Sequence, residues 1–263
     1  METASLVVLV AIAILIAFEL IWSLRRRQPV YDPGETFANV AIAVGNGLLR
    51  PAAVAWGYFV MTWIEPLRTL PETVWAFALT FVVVDIAYYG YHRASHEIRV
   101  LWAMHHTHHS SPWFNFSTAI RLSWIAKFVG PLVFAPLVLI GFPAEWVAVS
   151  LAVGLLFQLF LHTEAIPPLG RFEGVLLNTP SAHRVHHGRN PAYLDRNYAG
   201  VFIVWDRLFG TYQPERERVR YGVTTGFLGH NPFVIQFAPL LSYIRGRFQR
   251  EARRAGGGVA PDG

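Results

Sequence analysis

Six histidines stand within the 18 residues 92–109, in the stretch HRASHEIRVLWAMHHTHH. This cluster restricts the fold more than any other feature of the chain, because each buried imidazole brings a donor and an acceptor that need partners. The spacing indicates what would satisfy them. His92 and His96 are four apart, and His105, His108 and His109 fall at i, i+3 and i+4, so on helices each set points from one face. His183, His186 and His187 repeat the second pattern farther along the chain. Cysteine is absent, which removes thiolates, disulfides and iron–sulfur clusters and leaves nitrogen and oxygen donors. A fold that brings the three sets together makes a multi-histidine metal site, and eight imidazoles suit two ions.

The apolar runs around these sets say how they meet. Residues 5–24 are long enough to span hydrocarbon, and Arg25, Arg26 and Arg27 follow at once. That order is the reverse of a signal peptide and reads as a retained first helix with its N-terminus outside. Residues 37–64 form a second span, kinked or broken near Gly45, Gly47 and Arg50-Pro51, and residues 74–91 a third that delivers His92. Residues 123–142 and 144–161 make a second hairpin that returns at His162. From Thr163 onward charged and turn residues run throughout. The fold expected is an all-α integral membrane protein with about five transmembrane helices, two hairpins after a first helix, and a cytoplasmic histidine-rich di-metal helical cap. Its units are 1–36, a membrane helix and basic linker; 37–244, the catalytic domain; and 245–263, a disordered basic tail. Only 15% of residues are charged and 53% are hydrophobic, against about a quarter charged in soluble domains. The net charge of +5 sits beside apolar spans, so it speaks for membrane lipids as partners and against nucleic acid.

Carboxylates near the histidines are candidates to hold ring N–H groups. Asp85 lies seven residues before His92 on the same helical face, inside a span where an unpaired carboxylate is expensive. Asp85 and Glu97, which follows His96, are the candidate catalytic carboxylates; Glu97 and Glu164 alternatively close helix ends in ion pairs. His106 lies about 100° around a helix from His105 and points to solvent or to a hydrogen bond away from the metals. His162 is either a ninth ligand or a support for one, and His230 is structural. Tyr88, Tyr89, Trp102, Trp113, Phe114 and Phe116 fit an interfacial aromatic belt, with a minority free to line an acyl-chain pocket. Residues 178–181 supply N-cap candidates for a helix that aims the third set.

The segments HRASH, HHTHH and SAHRVHH resemble the HxxxH, HxxHH and HxxHH boxes of the fatty acid hydroxylase/sterol desaturase superfamily of membrane di-metal oxygenases. Over about half the chain, roughly 85–214, the wording is most similar to that superfamily's tetrahydropterin-dependent alkylglycerol monooxygenase branch. The resemblance implies His92, His96, His105, His108, His109, His183, His186 and His187 as ligands, and matches Glu97 to an acidic residue after the first box. It implies two iron ions, with zinc as an alternative in purified protein, dioxygen as co-substrate, and tetrahydropterin as a candidate reductant. It further implies a lipid substrate, a separate electron donor or reducing cofactor, and oxygen insertion into a lipid C–H bond. Arg184, Arg189 and Arg196 are then placed to meet a headgroup, or else to cap helices and contact anionic lipid. The alternatives are a sterol or fatty-acyl desaturase, which begins with the same hydrogen abstraction, and more remotely a zinc-dependent membrane hydrolase. For the last, eight histidines are too many and no glutamate stands between His92 and His96.

Overall fold

The computed structural model describes residues 2–64, 66 and 69–247, of which 2–9 by backbone alone. The tail expected from 245 onward therefore lies, from 248, outside the described residues. Among the described residues nine α-helices follow one another: α1 (Glu2–Arg26), α2 (Pro33–Thr62), α3 (Val74–Glu97), α4 (Arg99–His109), α5 (Ala126–Leu139), α6 (Ala144–Leu161), α7 (Pro180–His186), α8 (Val204–Leu208) and α9 (Pro232–Ile244). Among the described residues there is no strand, only one antiparallel bridge between Leu177 and Phe202.

The local starts are those the side chains dictate. Asp32 accepts from the Glu35 amide ahead of Pro33, and Thr73 accepts from the Ala76 amide at the head of α3, each satisfying an N–H that the first helical turn leaves unpaired. α2 is one continuous helix of 30 residues with Pro51 inside it, where a break was an open alternative. Side chains fasten it to the segment around α5: Trp56 Nε1 donates to Phe128 O at 2.8 Å, and Trp124 Nε1 to Ile42 O at 2.9 Å. The Trp124 ring lies so close that a Cβ on Gly45 would collide with it.

α3 starts at Val74 as the apolar run indicates and continues to Glu97, so His92 and His96 are both helical. Ile98, in extended conformation, is the whole connection to α4, and α4 folds back against α3. Val84, Phe134, Val138, Phe142 and Val147 form an apolar core between α3, α5 and α6, while Val54, Tyr58, Trp75, Val153 and Leu155 face outward. Helices apolar all round fit a lipid surrounding rather than water.

Three helices among the described residues, α2, α3 and α6, are long and apolar enough to cross a membrane. The five spans expected are reduced at α5, which has 14 residues with Pro131 and Pro136 inside it. At 1.5 Å per residue that is about 21 Å, short of a hydrocarbon core of about 30 Å. After Thr163, where charged and turn residues run throughout, no further apolar helix was expected. That stretch contains α9, an apolar helix of 13 residues whose Ile235 packs with Ala38 and Ile42 of α2.

Candidate metal centre

The α3–α4 elbow, the end of α6 and α7 bring nine imidazoles together in two groups. His92, His96, His105, His109 and His186 form one, and His108, His162, His183 and His187 the other; within each group the nearest ring nitrogens all lie within 4.8 Å of one another. α7 is aimed by Thr179, whose hydroxyl accepts from the Ala182 amide, and residues 180–186 are all buried.

The outer nitrogens decide what the inner ones present. Nδ1 of His92 donates to Tyr198 O at 2.8 Å, that of His162 to Gln158 O at 2.8 Å, that of His186 to Arg196 O at 2.9 Å and that of His108 to Arg121 O at 3.3 Å. A carbonyl only accepts, so these four rings carry their proton on Nδ1 and turn a bare Nε2 lone pair inward. His96 has the Asp195 carboxylate 3.8 Å from its Nδ1. The inner contacts are Nε2 to Nε2: 3.0 Å from His92 to His105, 3.1 Å from His105 to His109, 3.3 Å from His162 to His108 and 3.2 Å from His183 to His162. For His108 and His162 two lone pairs face each other, which is not a hydrogen bond. Nε2 of His186 and of His187 is buried with no hydrogen-bond partner among the described residues.

A cation resolves all of these contacts at once. Nitrogens each held 2.0–2.1 Å from one ion stand roughly 2.9–3.4 Å apart, the range seen here. Burial, then neighbouring imidazoles, pushes His105, His109, His183, His186 and His187 well below the ordinary histidine range, and burial pushes His162 down to about 4. The rings are therefore neutral near pH 7, the form that ligates. The donor set thus fits two ions, one per group.

Sequence reasoning left His162 open; the structure places it in the second group beside His108 and His183. His106 is in neither group. It does not face solvent, being 2% exposed, and its Nε2 meets Thr225 Oγ1 at 3.2 Å. His230 hydrogen-bonds Glu35 at 3.1 Å, a structural contact. The two carboxylates proposed as catalytic do not join the histidines. Glu97 is a surface residue in an i,i+4 ion pair with Arg93 at 2.8 Å. Asp85 is buried, and its oxygens accept from the amides of Val201 and Phe202 and from Trp205 Nε1. It therefore acts on the segment that supplies Tyr198 O to His92, as does Asp206, which accepts from the Tyr198 and Ala199 amides.

Arg184 is drawn away from any headgroup. Its guanidinium is committed to Glu215 at 2.8 Å and to the carbonyls of Thr163 and Ile166, while Arg196 donates to Gly210 O. A polar network missed entirely in the sequence centres on Arg121, fully buried, which binds Glu35, Asn39, Ser110 and Thr107 O. It thereby fixes the carbonyl that orients His108. No periodicity marks such a residue; only its place in an otherwise apolar stretch hinted at it.

Comparison with known proteins agrees with this geometry. Residues 77–211 match the family described as fatty acid hydroxylase. Alkylglycerol monooxygenase of Xenopus tropicalis is 47% identical over 165 residues, which are 63% of this chain and 36% of that protein. The Homo sapiens alkylglycerol monooxygenase is 45% identical over 177 residues, 67% of this chain and 39% of that protein. Ornithine lipid hydroxylase OlsE of Rhizobium tropici is 28% identical over 239 residues, 84% of this chain and 70% of that protein. The match thus spans well under half the length of the alkylglycerol monooxygenases. No solved structure matches.

Proposed function

The chain belongs to the fatty acid hydroxylase family, and from that premise we propose that it is a membrane-bound lipid oxygenase holding two iron ions. The observation that carries this reading is the pair of buried histidine groups whose inner nitrogens lie at ligand spacing. Five imidazoles would hold one ion and four, including His162, the other. Two irons, if bound there, would supply the redox chemistry that turns dioxygen into an oxidant for an unactivated C–H bond. Zinc competes for such a site during purification because it stands higher in the affinity series.

The chain's own residues do the rest. The carbonyls of Tyr198, Gln158, Arg196 and Arg121 hold the rings of His92, His162, His186 and His108 in one tautomer and one orientation. The rings of Trp102, Phe114 and Tyr198, buried against the histidines, exclude water that would divert the oxidant. The substrate is a lipid whose chain lies among the apolar helices. An alkyl glycerol ether is the first candidate and an amino-acid lipid the second, following the proteins this chain resembles. The site faces the cytoplasm, and a separate donor or a tetrahydropterin supplies the electrons.

The test is expression with iron, metal analysis in mild detergent, and incubation of the protein with oxygen and a reductant on alkylglycerols and on ornithine lipid. Two irons per chain and a hydroxylated or ether-cleaved product are expected. One metal or none, or no oxygen-dependent product from any lipid offered, would sink the reading.

A further inference from the structure

Residues 201 and 202 belong to no membrane helix, yet they sit against the middle of two spans. The ends of α3 and α6 farthest from the histidines are level, since Leu70 N donates to Gly141 O at 3.1 Å and the Phe77 and Trp146 rings meet at 5.7 Å. Asp85 comes 11 residues after the start of α3 and Gly154 ten after the start of α6, about 15–17 Å along each axis. At that level Asp85 accepts from the Val201 and Phe202 amides at 2.9 and 3.0 Å. Val201 is the side chain nearest Gly154, and the Phe202 ring meets Phe81 at 6.0 Å. The 18 residues of α6 extend about 27 Å, so α6 crosses a core of about 30 Å only with its whole length inside it. The chain at 201–202 therefore lies near mid-bilayer.

Irregular backbone at that depth needs partners within the protein, because hydrocarbon has no water for unpaired N–H and C=O groups. Here they are supplied. Asn178 N donates to Val201 O at 2.7 Å and Ile203 N to Leu176 O at 3.0 Å, Asn178 Nδ2 donates to Ala199 O at 2.7 Å, and the Asp85 carboxylate takes the next two amides. This gives a reason for a carboxylate halfway along a span, where an uncommitted one is expensive. The side chains agree with the depth. Residues 175–178 and 199–204 include no charged residue, and Val175, Leu176 and Leu177 are 44–56% exposed, as are Val153 and Leu155 on either side of Gly154. The first cation after the second segment, Arg207, comes two residues before Phe209, whose ring stacks on Tyr89 near His92. We propose that residues 175–178 and 199–204 are inserted into the histidine-side half of the bilayer, anchored by Asp85, with Val175, Leu176 and Leu177 facing acyl chains. The insertion goes beyond the oxygenase reading and needs only that α3 and α6 cross the membrane.

Because cysteine is absent, single Leu176→Cys, Leu155→Cys and Arg189→Cys variants of the full chain, each at an exposed position, can carry a nitrobenzoxadiazole label in phosphatidylcholine vesicles. The label at 176 should be quenched severalfold more by a phospholipid bearing a nitroxide low on its acyl chain than by iodide in the water. The label at 155, on α6, should behave in the same way, and the label at 189 in the opposite way. Adding Asp85→Asn, which leaves a single oxygen for the two amides, should raise iodide quenching at 176 severalfold and leave that at 155 as it was. Circular dichroism on each variant checks that the helices are kept. Iodide reaching 176 as readily as 189 would put the two segments in water and overturn the insertion. Protection of 176 from both quenchers would overturn it in favour of a second copy of the chain covering this face. Iodide quenching at 155 would overturn the α6 span and the insertion with it, and unchanged quenching at 176 in Asp85→Asn would overturn the anchor.

Discussion

His162 and His106 show how far one residue's role can be read from its neighbours. Both are buried, yet only His162 turns a nitrogen toward other imidazoles. His162→Ala should lower metal content from about two per chain to about one, since three ligands remain in its group, whereas His106→Ala should keep both. Elemental analysis of the two variants checks this, and equal metal content in both would refute the grouping. The eight box histidines were legible because spacing on a helix is a property of sequence. His162 was not, because nothing local says that the end of α6 meets α7. The partners of Asp85 were hidden for the same reason: its face on α3 could be read, but the groups it binds at 201–205 come from a distant segment.

A second consequence at this scale concerns protons. In the metal-free protein burial holds these imidazoles neutral, with His106 and His162 at about 4, while an unfolded histidine titrates near 6.5. Below about 6.5 the unfolded chain therefore binds more protons than the folded one, and stability falls as pH drops toward the folded values. Metal that binds only the folded form should offset the loss. Thermal melts in detergent should show the metal-free midpoint falling between about pH 7 and pH 5, and rising again at the lower pH when metal is added. A midpoint that stays level across that window would mean the rings are solvated.

Among the elements, α3 and α6 were readable because a long apolar run closed by a Thr or Pro at its head leaves little choice. α9 was not, because a mostly apolar helix of 13 residues among loops carries no span-length signal. Besides packing Ile235 on α2, it places one polar side chain: Gln236, 1% exposed, accepts from the Trp124 amide at 2.8 Å and donates to Leu122 O at 3.1 Å. It thus holds the chain between Arg121, which orients His108, and the start of α5. Gln236→Leu keeps most of the volume but strands the Trp124 amide, at about 1–3 kcal/mol, while Leu122 O keeps the Asn46 side-chain amide at 3.0 Å. We expect a clear fall in the denaturation midpoint and weaker metal retention. A variant as stable as the parent would show that water replaces the side chain.

For the molecule as a whole, orientation follows from which end of α3 carries what. Its 24 residues extend about 36 Å, enough to cross a core of about 30 Å, with exposed Glu72 just before one end and His92 and His96 near the other. The basic end of α1 belongs to the histidine side. Glu19, two turns before Arg26, accepts from the Phe116 amide at 3.0 Å and from the Thr163 hydroxyl beyond α6. Arg25 and Arg26 close α1, and clusters of this kind remain cytoplasmic. The histidine groups should therefore face the cytoplasm and Glu72 the outside. In this cysteine-free chain the experiment is direct. A membrane-impermeant maleimide on intact cells should label Glu72→Cys at once and label Arg189→Cys, exposed beside the third histidine set, only after the membrane is opened. The reverse pattern would invert the orientation. Labelling of both in intact cells would mean that α3 does not cross the membrane.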